Sequence, residues 1–281
     1  MASCNSDSQN KEDSVLPHNG HLFIIGGGDR PEYLMQKYIE LAGGHDAKII
    51  VVPFASGDAY ETALYLVDQF TSYGCKNVDY VFFAQGEADL PENIGKLDGA
   101  TGIYFAGGDQ SELTKILLGT KFLEKIKEIH RNGGVVGGTS AGAAVMSKIM
   151  LTGEELVNPD AEDGPAFPCI LKGNVEVAEG FGFIDNAIID QHFIQRKREN
   201  RLITLVVESC LPGIGIDEST AIIVKADNSF EVFGDRTVMI FEPQECTPVR
   251  TDKHGNLAAD NITLRILLSG DTYKIKPVNQ P

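Results

Sequence analysis

The fold is decided by one stretch of sequence, Val135-Val136-Gly137-Gly138-Thr139-Ser140-Ala141-Gly142-Ala143-Ala144-Val145. It starts with two β-branched residues, passes through small residues and continues with alanines, which predicts a strand, a sharp turn and a helix. Residues 138–142 fit G-x-S-x-G, the pattern of a serine held on a strained strand-to-helix turn. We therefore expect Ser140 at the carboxyl end of a strand, with its side chain projecting from the turn.

The sequence around this stretch alternates apolar strands with amphipathic helices. The predicted strands are Leu22–Ile25, Lys48–Pro53, Asn77–Phe83, Gly102–Phe105 and Val135–Gly138, and the predicted helices are Pro31–Ala42, Ala59–Tyr73, Glu112–Leu118, Lys121–Asn132 and Ala141–Lys148. Apolar strands that alternate with helices indicate an α/β fold with a parallel sheet covered on both faces. Glycine clusters at residues 26–28, 107–108 and 137–138 fall at the carboxyl ends of these strands, where reactive groups gather in such folds.

The pattern loosens after Ile149. The acidic, turn-rich segment Gly153–Phe167 predicts a long loop, and Ile188–Phe193 predicts a short strand or turn before a charged helix that ends near Ser209. Strands are predicted at Ile214–Ile216 and Ala221–Val224, and antiparallel hairpins at the sheet edge are predicted from Ser229–Phe233, Val238–Phe241 and Thr263–Leu268. Neither a repeat nor a linker divides the chain, so we expect a disordered tail at residues 1–20 and a single catalytic α/β domain at residues 21–281.

Charge and cysteine content exclude several classes of protein. The 281 residues include 24 Lys+Arg and 40 Asp+Glu, which gives a formal net charge of −16. This charge argues against binding to nucleic acid or to anionic lipid, because both would repel it. No apolar run approaches the roughly 20 residues that span a bilayer. The five cysteines are irregularly spaced and form no CxxC pair, so we expect neither a disulfide framework nor a zinc site.

The amino-terminal tail leaves two locations open. It begins Met1-Ala2-Ser3-Cys4, and an Ala-Ser-Cys tripeptide resembles the end of a bacterial lipoprotein signal, where the cysteine receives the lipid. One hypothesis is an exported lipoprotein anchored at Cys4, with the signal segment missing from this sequence. The other is a cytoplasmic protein with an incidental cysteine in its tail. An apolar segment encoded upstream of Met1 would support the first.

Ser140 is a candidate nucleophile. Only small residues pack two positions to either side of such a turn, and Gly138 and Gly142 meet that requirement. Free N–H groups at the start of a helix favour negative charge, so the N–H of Ala141 is a candidate oxyanion donor. The N–H of Gly108, at the end of the neighbouring strand, is the second candidate. The alternative is a turn whose small residues serve only tight packing.

A serine nucleophile needs a base, and His192 is the best candidate among the six histidines. The other five have adequate structural roles in the tail, in turns or at a helix end. His192 instead ends an apolar run within a polar cluster. The carboxylate that orients its imidazole is either Glu218, which follows a predicted strand, or Glu155 in the loop after the elbow helix. We prefer Glu218 because a strand end is a rigid mount, whereas Asp190 lies too close along the chain.

Three arginines follow the candidate base, at positions 196, 198 and 201. Guanidinium groups bind carboxylates in a bidentate manner, so this cluster predicts a carboxylate-binding pocket in an otherwise acidic chain. On a helix Arg198 and Arg201 would share a face and Arg196 would point elsewhere. The alternative is a solvated helix face paired with Glu199.

Four segments together carry a resemblance to a known family. They are Gly107-Gly108-Asp109-Gln110, residues 137–143 around Ser140, Asp190-Gln191-His192-Phe193 with Arg196, Arg198, Arg201 and Leu202, and residues 215–221 around Glu218. They resemble the cyanophycinase family of serine peptidases, which are relatives of peptidase E. The resemblance runs from about residue 20 to about residue 245, and the string from Asp190 to Leu202 is its most specific part.

The resemblance implies a flavodoxin-like α/β sandwich similar to class I glutamine amidotransferases, usually paired into dimers. It implies hydrolysis of cyanophycin, a polyaspartate that carries one arginine on each side chain, to β-Asp-Arg dipeptides. Ser140 would be the nucleophile and His192 the base, with Glu218 and Glu155 both open as the triad acid. The substrate-binding residues would be Asp109, Gln110, Asp190, Gln191, Arg196, Arg198 and Arg201. Neither a metal nor a cofactor is implied.

Other functions remain open at this point. A dipeptidase acting on Asp-X would explain the elbow and the carboxylate site but not the whole arginine string. A glutamine amidotransferase subunit would carry cysteine in place of Ser140. An esterase of the α/β-hydrolase type shares G-x-S-x-G, but its acid usually precedes the histidine in the chain. A binding protein without activity on the same scaffold would leave Ser140 unreactive.

Overall fold

The computed structural model describes residues 20–157, 167–246 and 248–276. Its first half alternates strands and helices. These elements are β1 (His21–Ile25), α1 (Glu32–Leu41), β2 (Lys48–Val52), α2 (Ala59–Ser72), β3 (Asn77–Tyr80), α3 (Pro91–Gly95), β4 (Gly102–Phe105), α4 (Gln110–Leu117), α5 (Lys121–Arg131), β5 (Val135–Thr139) and α6 (Ala141–Ala144). Side-chain caps fix three helix starts, because Asp58, Asp109 and Thr120 accept hydrogen bonds from backbone N–H groups of α2, α4 and α5.

The second half is mainly β-structure with one long helix. Its elements are β6 (Ile149–Glu155), β7 (Val175–Glu179), β8 (Ile188–Asp190), α7 (Glu199–Ser209), β9 (Gly213–Ile216), β10 (Thr220–Val224), β11 (Ser229–Gly234), β12 (Val238–Pro243), β13 (Arg250–Thr251), β14 (Leu257–Ala258), β15 (Ile262–Leu267) and β16 (Thr272–Lys274).

An eight-stranded sheet forms the centre, in the order β16-β11-β10-β1-β5-β4-β2-β3. The strands β1 to β5 pair in parallel, and β10, β11 and β16 extend the sheet antiparallel. Successive residues of a strand face opposite sides, so Leu22 and Ile24 pack in one core layer and Phe23 and Ile25 in the other. Helices α1 and α2 cover the second layer, while α4, α5 and α6 cover the first. The predicted α/β sandwich with a mostly parallel central sheet is confirmed.

A second sheet, in the order β15-β12-β9-β8, packs against the layer that contains α6. Its other face is covered by α7, through residues such as Leu202 and Val206. The predicted C-terminal hairpins are confirmed, but they divide between the two sheets. A single sheet edge was expected for them, because alternation along a strand does not reveal which sheet the strand joins.

Three local predictions were wrong. The elbow helix α6 ends at Ala144 instead of Lys148. The loop expected from Gly153 begins as part of β6, which pairs antiparallel with β7, and residues 158–166 lie outside the described residues. The charged helix begins only at Glu199, so Arg196 lies in the preceding turn. The predicted tail, including Cys4, also lies outside the described residues.

Cys210 and Cys246 form a disulfide across 36 residues of sequence, where none was expected. Cys210 caps the C-terminal end of α7 and Cys246 follows β12. The irregular spacing along the chain gave no sign of this pair because only the packing of α7 on the second sheet brings the two residues together.

Among the described residues, no helix is long and apolar enough to cross a bilayer. The same ranges contain no group of three or more His, Cys, Asp or Glu side chains placed to hold a metal ion.

Candidate active site

Ser140 lies on a strained turn between β5 and α6. Its backbone has φ 55° and ψ −110°, and its N–H donates to the carbonyl of Ile25 at 3.1 Å. A methyl group at Gly138 would lie 2.4 Å from the carbonyl oxygen of Gly142, and one at Gly142 would lie 2.4 Å from that of Phe105. The backbone therefore closes tightly around Ser140 and holds it in a conformation that few residues other than glycine adopt.

His192 and Glu218 complete a hydrogen-bonded line that starts at Ser140. The Nε2 atom of His192 lies 2.9 Å from the Oγ atom of Ser140, and its Nδ1 atom lies 2.6 Å from Oε1 of Glu218. His192 follows β8 and Glu218 follows β9, and these two strands run parallel, with Asp190 opposite Gly215. Their carboxyl ends therefore meet at the same edge of the second sheet.

The loop after β1 joins the two sheets at this point. The carbonyl of Gly26 accepts the N–H of His192 at 2.6 Å, and the carbonyl of Gly27 accepts the N–H of Ser219 at 2.9 Å. A methyl group at Gly27 would lie 2.4 Å from the imidazole ring, and one at Gly28 would lie 2.7 Å from Cβ of Glu218. Gly26, Gly27 and Gly28 are site residues that were not predicted, although their cluster at the end of a strand was the available signal.

The electrostatic environment keeps His192 neutral. Burial lowers the pKa of His192 below its ordinary value of 6.5, and the positive charges of Arg196 and Arg198 lower it further. Glu218 opposes this shift through its hydrogen bond and its charge. At neutral pH the imidazole is thus unprotonated on one nitrogen, and Nε2 can accept the proton of Ser140 while the Nδ1 proton is donated to Glu218.

Glu155 is not placed at the imidazole. Its carboxylate accepts hydrogen bonds from Nδ2 of Asn174 at 2.8 Å and from the N–H of Phe167 at 3.0 Å. It thereby stabilises the antiparallel pair of strands β6 and β7, which we call the β6–β7 ribbon. The carboxylate on Nδ1 of His192 belongs to Glu218.

The two expected oxyanion donors belong to the start of α6 and to the turn after β4. Ala141 is the first residue of α6, so its N–H has no acceptor within that helix. In the turn after β4, a methyl group at Gly107 would lie 3.3 Å from Cβ of Ser140, which puts the Gly107–Gly108 turn against the serine. A methyl group at Gly108 would lie 1.9 Å from the carbonyl oxygen of Ala55, so Gly108 packs directly against that carbonyl.

The expected substrate-binding residues include both exposed and buried side chains. Asp109 is exposed at the start of α4, where its side chain accepts the N–H of Ser111. Gln110 is buried and donates to the carbonyls of Leu151 and Thr152, so it ties α4 to β6. Gln191 is buried as well, and its Oε1 has no hydrogen-bond partner among the residues that the structure describes.

Asp190 and Arg201 form an internal ion pair. Nε of Arg201 donates to Oδ2 of Asp190 at 2.8 Å, its Nη2 donates to Oδ1, and the Arg201 side chain is only 3% exposed. Both residues were expected to line an open pocket. The structure differs because the guanidinium is satisfied by Asp190 and covered by the ring of Phe167, 5.7 Å from its centroid.

The other two arginines stay closer to solvent. Nη1 of Arg198 donates to the carbonyl of Gln191 at 2.8 Å, and burial lowers the pKa of Arg198 to about 10. Arg196 is exposed in the turn before α7. Arg198, at the N-cap of α7, and Arg201 lie on the same side as expected, since Nη1 of Arg198 is 4.0 Å from the same Oδ1 of Asp190 that Arg201 binds.

Comparison with known proteins identifies the family. The model of peptidase family S51 matches residues 22–232. A cyanophycinase from Geminocystis herdmanii (strain PCC 6308) is 34% identical over 277 residues, which cover 92% of this chain and 95% of that protein. A cyanophycinase from Synechococcus elongatus is 31% identical over 270 residues, which cover 92% of this chain and 80% of that protein. The crystal structure of a peptidase from an acI-B1 Actinobacterium has the same fold, with a TM-score of 0.66 at 24% identity over 92% of this chain and 98% of that one.

These matches extend along nearly the whole chain, and the family model spans the positions of Ser140, His192 and Glu218. The predicted relationship to this group of hydrolases is therefore confirmed, and the chain belongs to peptidase family S51.

Proposed function

We propose that the chain is a serine exopeptidase that hydrolyses cyanophycin to β-Asp-Arg dipeptides. The observation that carries the proposal is the continuous line from Ser140 through His192 to Glu218, with distances of 2.9 and 2.6 Å. The substrate class is supported by relatives that are themselves cyanophycinases and match over more than nine tenths of this chain.

The first half of the reaction forms an acyl-enzyme. His192 takes the proton of the Ser140 hydroxyl while Oγ attacks the carbonyl carbon of a backbone aspartyl residue. The N–H groups of Ala141 and Gly108 hold the oxyanion of the tetrahedral intermediate. That intermediate then collapses, the C–N bond breaks, and His192 returns the proton to the leaving amine. Glu218 keeps the imidazole oriented and stabilises its charge while it holds the proton.

The second half releases the product. A water molecule gives one proton to His192 and attacks the acyl carbon, and Ser140 recovers its proton when the ester bond breaks. Burial of the imidazole supports this cycle, because it keeps the pKa of His192 low enough for the base to be free at neutral pH.

Arg196 and Arg198 are the arginines that we assign to substrate carboxylates. Each unit of the polymer carries one carboxylate and one guanidinium. Arg196 is exposed, and Arg198 is held beside the base by its bond to the carbonyl of Gln191. The free Oε1 of Gln191 and the exposed carboxylate of Asp109 are candidate acceptors for substrate N–H groups. Gln110, Asp190 and Arg201 are buried, and we assign them to holding the substrate-binding groups in position.

We also propose that residues 21–281 act as a single catalytic domain and that two copies pair. The triad draws on both sheets, which supports a single domain. Strand β15 lies at the edge of the second sheet and exposes Leu264 and Ile266, followed by Leu268, which supports pairing there. Light scattering should report a dimer for the parent and a monomer for Ile266→Lys. A parent monomer, or a variant that remains dimeric, would remove this assignment.

The test uses insoluble cyanophycin, the purified parent and Ser140→Ala, with Ser72→Ala as a control at an exposed serine. Clearing of the polymer is followed by turbidity, and the soluble fraction is analysed by mass spectrometry. The parent and Ser72→Ala should release β-Asp-Arg, and Ser140→Ala should not. If the parent leaves the polymer intact, activity on Asp-X dipeptides would indicate a peptidase E-like enzyme, and inactivity on both would indicate a binding protein.

A further inference from the structure

Three aromatic side chains form a surface cluster near the end of β3, which we call the aromatic platform: Tyr60 and Phe82, which are exposed, and Tyr80, which is half-buried. Tyr60 is 45% exposed and Phe82 is 58% exposed. The ring of Tyr60 meets that of Phe82 edge-to-face at 5.7 Å and that of Tyr80 at 6.1 Å. Large rings of this kind are normally buried, so an ordered and exposed group of them marks a surface available for binding.

The platform lies on the same edge of the central sheet as Ser140. Tyr60 is in the first turn of α2, and Phe82 follows the carboxyl end of β3. The sheet order β5-β4-β2-β3 puts three strand spacings, or about 14 Å, between the two sites. Between the two sites, the turn after β2 contacts the turn after β4, where the N–H of Asp109 donates to the carbonyl of Ala55 at 2.7 Å.

The chemistry of the platform fits a guanidinium group. Aromatic faces attract arginine through stacking and cation–π interactions. Asp58 and Glu61 are both exposed beside Tyr60 and add negative charge. The nearby ammonium of Lys96 is paired with Asp79 at 2.7 Å, so it opposes a cation only weakly. The whole chain carries a net charge of −16, which favours a cationic side chain further.

We propose that the aromatic platform binds arginine side chains of the polymer at a position remote from the bond that is cut. This inference rests on the proposed function, because it takes cyanophycin as the substrate. An extended backbone advances about 3.5 Å per residue, so a separation of about 14 Å corresponds to about four units of the polymer. The platform therefore holds long chains while their terminal unit occupies the site at Ser140, and it does not contact a substrate of two units.

The first test measures binding without turnover. Ser140→Ala protein is mixed with insoluble cyanophycin and pelleted, with and without the added pair Tyr60→Ala and Phe82→Ala. Since one exposed cation–π contact corresponds to about 2- to 5-fold in affinity, we expect the pair to weaken binding about tenfold. The pair Tyr60→Phe and Phe82→Tyr keeps both rings and should bind like the Ser140→Ala protein. Tyr65→Ala removes an exposed tyrosine elsewhere on α2 and should also leave binding unchanged.

The second test separates the platform from the active site. On a soluble substrate of two β-Asp-Arg units, the Tyr60→Ala and Phe82→Ala pair in the active enzyme should keep the parental kcat/KM, while clearing of the polymer slows about tenfold. If the protein with Tyr60→Ala and Phe82→Ala binds polymer as well as the protein with Tyr60→Phe and Phe82→Tyr, the proposal for the platform is wrong and the proposed function is unaffected. An equal loss on both substrates, or a loss of dimers in light scattering, would also overturn it. If the Ser140→Ala protein does not pellet with cyanophycin and the parent does not cut it, the proposed function fails and the platform falls with it.

Discussion

The nucleophile and its two partners come from different sheets and are held in different ways. Ser140 belongs to the central sheet, and its conformation is set within a few residues by Gly138, Gly142 and the start of α6. His192 and Glu218 follow strands of the second sheet, and contacts with the distant loop at Gly26 and Gly27 position them. The comparison teaches that local sequence can build a strained nucleophile, whereas the base and acid depend on how two sheets meet.

The largest expected effect concerns the acid, where Glu218 and Glu155 give a matched pair. Glu218→Gln keeps the shape of the side chain but removes the charge that orients and stabilises the imidazolium, so kcat should fall by about 10⁴-fold. Glu155→Gln alters only the β6–β7 ribbon and should leave kcat close to that of the parent, with a loss of stability at most. Steady-state rates on a soluble β-Asp-Arg oligomer measure both. A reversed order would move the acid to Glu155.

The sequence predicts the central sheet well because its signals are local. The strands at 22–25, 48–52 and 102–105 are apolar runs that end at glycine or proline, and the elbow motif fixes Ser140. The sequence motif from Asp190 to Leu202 also identifies His192. The second sheet is less predictable, since no sequence feature near Glu218 or Glu155 determines which carboxylate will contact Nδ1 of His192. The inward turn of Arg201 and the Cys210–Cys246 disulfide are likewise decided by packing between segments far apart in sequence.

The next effect is on stability and contrasts the buried and exposed arginines. Arg201→Met removes the bidentate partner of the buried carboxylate of Asp190 and leaves it only the N–H of Gln191 and Nη1 of Arg198 at 4.0 Å, so the free energy of unfolding should fall by about 3 kcal/mol. Arg196→Met removes an exposed charge and should change that free energy by less than about 0.5 kcal/mol. Urea denaturation followed by circular dichroism gives both values.

A double variant checks the cause of that loss. Adding Asp190→Asn to Arg201→Met removes the uncompensated charge, so part of the lost stability should return. If the double variant is as unstable as the sum of the two single ones, the side chains stabilise the protein through separate contacts and the ion pair is not the reason.

A smaller effect is expected where the two sheets meet. Gly27→Ala places a methyl group 2.4 Å from the imidazole at a backbone φ of +105°, so His192 must shift. A displacement of about 1 Å can lower the rate about 10²-fold, and we expect the loss mainly in kcat. Gly74→Ala is the matched control, because Gly74 has a similar backbone φ of +98° and a methyl group there has open space around it. Circular dichroism should show both variants folded; a folded Gly27→Ala with the parental kcat would contradict a role for this contact.

The smallest effect is a shift in pH dependence caused by Arg196. Burial, with Arg196 and Arg198, keeps the pKa of His192 below its ordinary value. Protonated His192 cannot accept the proton of Ser140, so kcat/KM should fall as the pH drops through this pKa. Arg196→Gln removes a charge that disfavours the imidazolium, so the pKa of His192 rises and the acid limb should move to higher pH.

Arg250→Gln removes an exposed arginine that is paired with Asp260 and is not among the charges acting on His192, and it should leave the limb in place. The midpoint of the limb in kcat/KM reports the free enzyme, so it separates this electrostatic effect from any loss of substrate affinity in Arg196→Gln, which lowers the plateau instead. Because Arg196 is exposed, added salt should shrink the difference between the parent and the variant. An acid limb that stays fixed, or moves to lower pH, would show that the charge of Arg196 does not help to lower the pKa of His192.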